Sequence, residues 1–341
     1  MTESRWYHTS PPAKLNLFLE LLARRDDGFH ELDTVMVAID WRDELRLRRT
    51  SRPGVQLSVD WTAGRASVAQ ELQVDEDDEL LFIPIDEKNL VVRALHRLTE
   101  TLGLDGGWEV HLNKNIPSGA GMGGASSDAA SALQLGWEAA SETHPKMPVS
   151  SKRELLSSLA AEIGSDVPFF FGAPRSVEST HSPVPAHSND GILCARATGR
   201  GEKLQFFTLA NPLHAVVIFP AASVSTAQVY SRCIVPDSPR SSDDLLLALQ
   251  GMTAENTFSL HNTLEATARG LSSRIAPALE CLSKAGLTHC HMTGSGSACF
   301  ALADSSQQAA FAAKTLRSTF PGGALIRPVM SCVVPSEIHI A

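Results

Sequence analysis

Residues 115–130 read NIPSGAGMGGASSDAA, a glycine-rich stretch between a strand-like segment, 108–114, and an alanine-rich, helix-like segment, 126–140. Small residues let backbone N–H groups approach an anion closely, and the N-terminus of a helix adds about half a positive charge. The stretch therefore predicts a phosphate-binding loop. A glycine-rich packing turn is the alternative that these residues alone leave open.

Gly119, Gly121 and Gly124 also spell G-x-G-x-x-G, which raises the possibility of a dinucleotide site. Such a site occupies the first strand-to-helix turn and has an acidic residue about 20 positions later. Here at least four predicted strands come first, and residues 143–149 form a proline-broken loop. No Gly-Lys-Ser or Gly-Lys-Thr follows, which excludes a Walker A loop. A second glycine-serine turn, MTGSGSACF (292–300), favours phosphate binding over coincidence.

Length and composition describe an ordinary globular protein. The chain has 341 residues, enough for two domains of about 150 residues each. A net charge of −9 argues against a nucleic-acid partner, because such partners select for a lysine and arginine surplus. Six cysteines without a C-x-x-C pair indicate reduced thiols. Without a leader peptide or a run of about 20 apolar residues, the sequence predicts a cytoplasmic protein with no membrane partner.

Periodicity predicts alternating strands and helices that form two α+β layers. Strands are predicted at 14–22, 34–40, 43–49, 54–60, 108–114, 214–219, 288–292, 298–303 and 324–329. Helices are predicted at 90–102, 126–140, 151–164 and 307–317, and near 226–233, 243–250, 256–269 and 273–285. The acidic stretch 62–80 is interpreted as a solvated loop or strand edge, and 173–191 as an inserted loop or inter-domain connection.

Four stretches in this order resemble the GHMP kinases, the superfamily of galactokinase, homoserine kinase and mevalonate kinase. They are PAKLNLFL (12–19), the glycine-rich P-x-x-x-G-M-G-G-A-S-S-D-A-A (117–130), GSDVPFF (164–170) and TGSGSACF (293–300). The resemblance implies two α+β domains with the active site in the cleft between them. The N-terminal domain, 1–190, would be ribosomal-S5-domain-2-like and bind ATP, and the C-terminal domain, 191–341, would be ferredoxin-like.

The segment R-x-D-G-F-H-E-L (25–32) is most similar to the branch of this superfamily that acts on a cytidine-diphosphate-linked alcohol. The resemblance implies that ATP phosphorylates the 2-hydroxyl of 4-diphosphocytidyl-2-C-methyl-D-erythritol in the non-mevalonate route to isoprenoids. It implies ATP as co-substrate, Mg²⁺ with unassigned protein ligands, and a monomer or weak homodimer. Two alternatives stay open: a homoserine- or mevalonate-type kinase, and a nucleotide-binding protein without catalysis.

The resemblance also implies roles for individual residues. Lys14 and Asp166 match the catalytic lysine and aspartate, and both argue against a protein that has lost catalysis. The ATP-binding positions are Pro117, Ser118, Gly119, Ala120, Gly121, Met122, Gly123, Gly124, Ala125, Ser126 and Ser127. The substrate-binding positions are Asn16, Phe29, His30, Thr226, Tyr230, Gly294, Ser295 and Gly296. Phe29 replaces a tyrosine that many family members use to stack on cytosine, and Tyr230 stands where phenylalanine is frequent.

Overall fold

The computed structural model describes residues 5–141, 149–172, 192–252, 258–334 and 337–340. The strands are β1 (Tyr7–Thr9), β2 (Pro12–Arg24), β3 (His30–Arg42), β4 (Glu44–Thr50), β5 (Gly54–Trp61), β6 (Gly107–Lys114), β7 (Leu193–Gly199), β8 (Lys203–Thr208), β9 (His214–Phe219), β10 (His261–Asn262), β11 (Thr288–Met292), β12 (Cys299–Ala303), β13 (Leu325–Met330) and β14 (His339–Ile340). The α-helices are α1 (Arg65–Leu72), α2 (Leu90–Leu102), α3 (Gly124–Ser141), α4 (Val149–Ile163), α5 (Thr226–Arg232), α6 (Asp243–Leu249), α7 (Leu264–Leu271), α8 (Ile275–Lys284) and α9 (Ser306–Thr319).

A long antiparallel hairpin of β2 and β3 forms the middle of the molecule. Most residues of the two strands are buried, so the hairpin is covered on both faces. The sheet built on it has the order β10-β2-β3-β7-β8. Lys14 and Asn16 are buried polar residues of β2, and they pair with Ala38 and Met36 of β3. The hairpin thus carries polar side chains into the interior, Lys14 and Asn16 among them.

The second sheet has the order β14-β1-β4-β6-β5 and shares a hydrophobic core with α2, α3 and α4. Gly136 of α3 lies so close to α2 that an added Cβ would be 2.7 Å from Leu98 and 3.0 Å from Leu95. Trp108 of β6 is fully buried in the same core. Small residues along α3 therefore allow close helix packing, and this packing fixes the start of α3 next to the end of β6.

The third sheet is antiparallel, with the order β11-β12-β9-β13. Helix α8 contacts β11 and β12, while α9 contacts β13 and β9. The tight turn between β11 and β12 is the second glycine-serine stretch. The predicted α+β architecture is therefore confirmed, with helices covering sheets rather than alternating regularly with parallel strands.

The interpretation of 62–80 as a loop or strand edge was wrong for Arg65–Leu72, which form α1, whereas the acidic residues 75–78 lie in a turn that leads into a short 3-10 helix, Glu79–Leu81. The apolar residues of α1 that are buried are Val68, Ala69 and Leu72. A long-range contact fixes the helix: the N–H of Ala324 donates to the carbonyl of Glu71 at 3.0 Å. Tertiary packing, not local periodicity, determines this helix.

The predicted helix at 256–269 was wrong over its first half. Residues 253–257 lie outside the described residues, and the following segment is extended up to β10, which pairs in parallel with β2. Helix α7 begins only at Leu264, where the side chain of Asn262 accepts the backbone N–H at 3.0 Å. This asparagine bond satisfies a free donor of the first turn, so the helix starts there.

The predicted insertion at 173–191 lies outside the described residues. Hydrophobic periodicity did not predict the two strands directly after it, β7 and β8. Strand β7 pairs with β3 from Leu32 to Val37. The sheet built on the hairpin thus includes strands on both sides of residue 190. The division into domains at that residue stays a prediction.

Candidate active site

A cavity of about 930 Å³ lies among β2, the start of β3, the glycine-rich loop before α3, helix α5 and the turn between β11 and β12. It is lined by most of the positions that the sequence predicted to be functional. They are Lys14, Asn16, Phe29, His30, Pro117, Ser118, Gly119, Ala120, Gly121, Met122, Gly123, Gly124, Ala125, Ser126, Asp166, Thr226, Tyr230, Gly294 and Ser295. Two predicted positions do not line it. Ser127 is fully buried in α3, and the backbone nitrogen of Gly296 packs against Gly121, 3.0 Å from the position of an added Cβ.

The glycine-rich loop has a backbone that requires glycine. Gly119, Gly121 and Gly123 have φ values of 65°, 76° and 69°, in the left-handed region that other residues rarely adopt. The loop leads directly into α3, whose first residues carry free backbone N–H groups. This combination of a glycine turn and a helix N-terminus suits a phosphate group.

The loop is held by hydrogen bonds from two distant segments. The N–H of Lys14 in β2 donates to the carbonyl of Met122 at 2.9 Å, and the N–H of Ala298 donates to the carbonyl of Ala120 at 3.1 Å. A Cβ on Gly121 would lie 2.2 Å from the carbonyl oxygen of Thr293. The early loop and the late turn are therefore in backbone contact.

Lys14 and Asp166 lie side by side in the cavity. The Lys14 Nζ is 3.5 Å from Asp166 Oδ2, and the lysine side chain is 4% exposed whereas that of the aspartate is 36% exposed. Asp166 directly precedes the buried 3-10 helix Val167–Phe171, which fixes the carboxylate at the cavity wall. The arrangement places one buried cation beside one accessible carboxylate in the cavity wall.

Asn16 connects the lysine to the late turn. Its side-chain oxygen accepts from Lys14 Nζ, and its amide nitrogen donates to Thr34 Oγ1 at 2.8 Å. Its backbone N–H donates to Thr293 Oγ1 at 2.9 Å. These bonds restrict the rotamers of Lys14, so the ammonium group is held in place before any ligand arrives.

Aromatic groups occupy another part of the cavity. The rings of His30 and Tyr230 are 5.6 Å apart at an interplanar angle of 42°. Phe29 is 52% exposed, and the Arg200 guanidinium lies 5.0 Å from the centre of its ring. Burial, and then the charge of Arg24, lower the pKa of His30 below its usual value. The imidazole is consequently neutral at pH 7 and can both donate and accept a hydrogen bond.

Sequence reasoning missed four further cations that line the cavity. They are Arg24, Lys88, Lys114 and Arg200; the lining carboxylates among the described residues are Asp128 and Asp166, and Lys114 is itself paired with Asp128 and with the buried Asp43. In a protein of net charge −9, this local excess of positive charge suits a polyanionic ligand. The sequence could have predicted Lys114, since this residue ends the strand immediately before the glycine-rich loop. Arg24 directly precedes the motif 25–32, whereas Lys88 and Arg200 are brought to the cavity by the tertiary structure.

A buried ion cluster lies next to the loop. Lys114 Nζ donates to Asp43 Oδ2 and, at 2.7 Å, to Asp128 Oδ2. All three side chains are at most 3% exposed. Burial alone would lower the pKa of Lys114, but the charges of Asp128 and Asp43 raise it above its usual value. Burial and the charge of Asp43 raise the pKa of Asp128 to about 8, against the opposing charge of Lys114.

The described residues contain no group of three histidine, cysteine, aspartate or glutamate side chains that could hold a metal ion alone. A magnesium ion on a nucleotide needs less, since it typically takes one or two carboxylates plus phosphate oxygens and waters. Asp128 is buried against Lys114, whereas Asp166 is accessible. Asp166 is therefore an accessible carboxylate that would fit a magnesium ion brought in with phosphates.

Comparison with known proteins gives consistent similarities. Residues 89–173 match the GHMP kinases N terminal domain, and residues 243–322 match the GHMP kinases C terminal domain. A 4-diphosphocytidyl-2-C-methyl-D-erythritol kinase of Rhodopirellula baltica is 80% identical over 100% of both chains. A kinase of the same name from Deinococcus radiodurans is 33% identical, over 93% of this chain and 90% of its own.

Solved structures agree at the level of the fold. The crystal structure of a 4-(cytidine 5'-diphospho)-2C-methyl-D-erythritol kinase has a TM-score of 0.68 and 30% identity, and the match covers 96% of this chain and 100% of that one. A homoserine kinase from Cytophaga hutchinsonii has a TM-score of 0.62 and 20% identity, with 100% and 98% covered. At 20% identity, the similarity to the homoserine kinase shows the fold alone.

Proposed function

Since the chain belongs to the GHMP kinases, we propose that it transfers the γ-phosphate of ATP to the 2-hydroxyl of 4-diphosphocytidyl-2-C-methyl-D-erythritol. The products are the 2-phosphate and ADP, on the route to isoprenoid precursors. The observation that carries the proposal is the composition of one cavity. A phosphate-type loop, the Lys14–Asp166 pair and the His30–Tyr230 pair all line it.

The chemistry follows from the Lys14–Asp166 geometry. The acceptor oxygen forms a bond to the γ-phosphorus while the bond from that phosphorus to the bridging oxygen of ADP breaks. Lys14 supplies positive charge beside the phosphoryl group in the transition state. Asp166 either accepts the hydroxyl proton or orients the oxygen, in which case the proton passes to solvent. When bound with ATP, magnesium would neutralise charge on the phosphates.

The acceptor end of the cavity supports a cytidine diphosphate group. Phe29 and Tyr230 offer aromatic faces to a base, and the neutral His30 offers a donor and an acceptor to its edge. Arg24 and Arg200 line the same region and suit the diphosphate, because guanidinium groups bind phosphate oxygens in pairs. Small uncharged or carboxylate acceptors, as in homoserine- or mevalonate-type kinases, would leave these groups without a ligand.

Three further points belong to the proposal. We propose that the protein works in the cytoplasm, as a monomer or weak homodimer, and without a nucleic-acid partner. The net charge of −9 supports the last point. Within the described ranges, every helix is too short or too polar to cross a lipid bilayer.

A coupled ADP-release assay tests the proposed activity. The purified protein is given ATP, magnesium and, in parallel, the cytidyl acceptor, mevalonate or homoserine. We expect turnover with the cytidyl acceptor. Arg200→Met should raise the KM for that acceptor about tenfold, the value of one charge-assisted contact, and leave the KM for ATP unchanged.

The control is Arg93→Met, which removes an exposed arginine of α2 outside the cavity. Turnover of mevalonate or homoserine without turnover of the cytidyl acceptor would refute the proposed substrate. Equal effects of Arg93→Met and Arg200→Met would show that Arg200 does not recognise the diphosphate.

A further inference from the structure

The buried cluster of Asp43, Lys114 and Asp128 has no part in the phosphoryl transfer described above, yet it lies directly against the phosphate-binding loop. The Lys114 Nζ is 3.5 Å from the position that a Cβ on Gly124 would occupy. Lys114 and Asp128 both line the cavity. Burying three ionisable side chains together is costly, so their position calls for an explanation beyond stability.

On the side where the chain enters the loop, Asp43 holds the backbone. Its Oδ1 accepts the N–H of Asn115 at 2.6 Å and that of Ile116 at 2.9 Å. Its Oδ2 accepts from Lys114 Nζ. Asp43 itself is fixed, because its N–H donates to the carbonyl of Pro11 at 2.9 Å. One carboxylate therefore fixes three consecutive residues before the loop.

On the side where the chain leaves the loop, Asp128 ties α3 to the same lysine. Its Oδ2 lies 2.7 Å from Lys114 Nζ. Its Oδ1 is buried and has no hydrogen-bond partner, and the neighbouring Ser127 Oγ is also unpartnered. Lys114 thus connects both ends of the loop through side-chain bonds.

We infer that Lys114 is a positioning residue for ATP: together with Asp43 and Asp128 it clamps both ends of residues 117–123 in the phosphate-binding conformation. The inference rests on the proposed function only in that this loop receives ATP. A loop held at both ends loses less conformational freedom when the ligand binds, and this raises affinity.

The charge balance of the cluster gives the inference a distinct signature. The charged groups that face Asp128 are Lys114 of β6 and Asp43 of the β3–β4 connection. Burial and the neighbouring Asp43 raise the pKa of Asp128, so two carboxylates around one lysine hold a proton more readily than isolated carboxylates do. Once that proton is lost, the cluster becomes negative next to the phosphates. We therefore expect ATP affinity to fall as the pH rises from 7 to 9.

The experiment measures binding of a non-hydrolysable ATP analogue with magnesium by calorimetry. Lys114→Met should raise Kd about tenfold or more, since misplacement of a binding group is costly. Asp128→Asn keeps the shape and the acceptor for Lys114 but cannot ionise, so its Kd should no longer rise between pH 7 and 9. This isosteric variant also keeps the test informative if Lys114→Met does not fold.

The matched control is Arg196→Met, which leaves the buried Asp33 without its two arginine bonds of 2.8 and 2.9 Å but lies outside the cavity. It should lower thermal stability without changing Kd. If Lys114→Met stays within about twofold of the wild-type Kd, or Asp128→Asn keeps the wild-type pH slope, the cluster is only structural. The binding experiment contains no acceptor substrate. Its results are therefore independent of the ADP-release assay that tests the proposed substrate.

Discussion

Replacing Asp166 by asparagine separates catalysis from binding and from stability. The carboxylate is the accessible acidic group beside Lys14, so the amide would keep the shape but lose the base and the charge. We expect kcat to fall about 10²- to 10⁴-fold, which corresponds to about 3–5 kcal/mol in the activation free energy. The free energy of unfolding should change by only about 0–1 kcal/mol. The Lys14–Asp166 ion pair is 3.5 Å long and the aspartate side chain is 36% exposed, so water weakens the attraction.

The measurement combines the ADP-release assay with the cytidyl acceptor, calorimetric binding of an ATP analogue, and thermal unfolding. Glu162→Gln is the matched control. Glu162 is an exposed carboxylate of α4 that lies outside the cavity and forms an ion pair of 2.8 Å with Arg97. Both variants should bind the analogue as the wild type does. A kcat for Asp166→Asn close to that of Glu162→Gln would refute the catalytic role of Asp166.

Three further variants test other parts of the cavity. Gly121→Ala should abolish binding of the ATP analogue and lower the melting temperature, because its Cβ would meet the carbonyl of Thr293 at 2.2 Å; wild-type binding would contradict this. Tyr230→Ala should raise the KM of the cytidyl acceptor about tenfold in the ADP-release assay and leave that of ATP unchanged; a rise in both would exclude a specific contact with the base. The pKa of His30 is lowered by burial and then by the charge of Arg24, so its protonation opposes folding and stability falls as the pH drops below 6.5. His30→Gln should remove this loss of stability at acidic pH, measured by thermal unfolding. If the pH dependence of the melting temperature is unchanged, the lowered pKa of His30 is refuted.

Where local signals are strong, the sequence predicted the structure closely. Helix α2 was predicted over 90–102 and spans Leu90–Leu102. Asn89 accepts the N–H of Val91 at 2.9 Å, and Gly103 ends the helix with φ 61°. The hairpin of β2 and β3 was similarly visible as apolar runs. In each case the determinants lie within a few residues of the element.

Features that depend on distant partners were not predictable in this way. Helix α1 is fixed by the contact with Ala324, and β7 by its pairing with β3. In the cavity, the motifs identified Lys14 and Asp166 as candidates, but no motif near Lys88 or Arg200 indicates that they face the same space. Single-sequence patterns report local preference, while convergence of charges depends on the whole topology.

The hydrogen bonds that hold the glycine-rich loop have a consequence for synthesis on the ribosome. Asn16 is bonded to Thr293, and Ala120 to Ala298, so the loop is completed by residues near the C-terminus. A nascent chain that ends before β11 already carries Lys14 and the loop but lacks the segment that fixes them. Such long sequence separations delay formation of the native contacts. We therefore expect nucleotide binding only in chains that already include residues 293–298, and ATP should stabilise those chains rather than shorter ones.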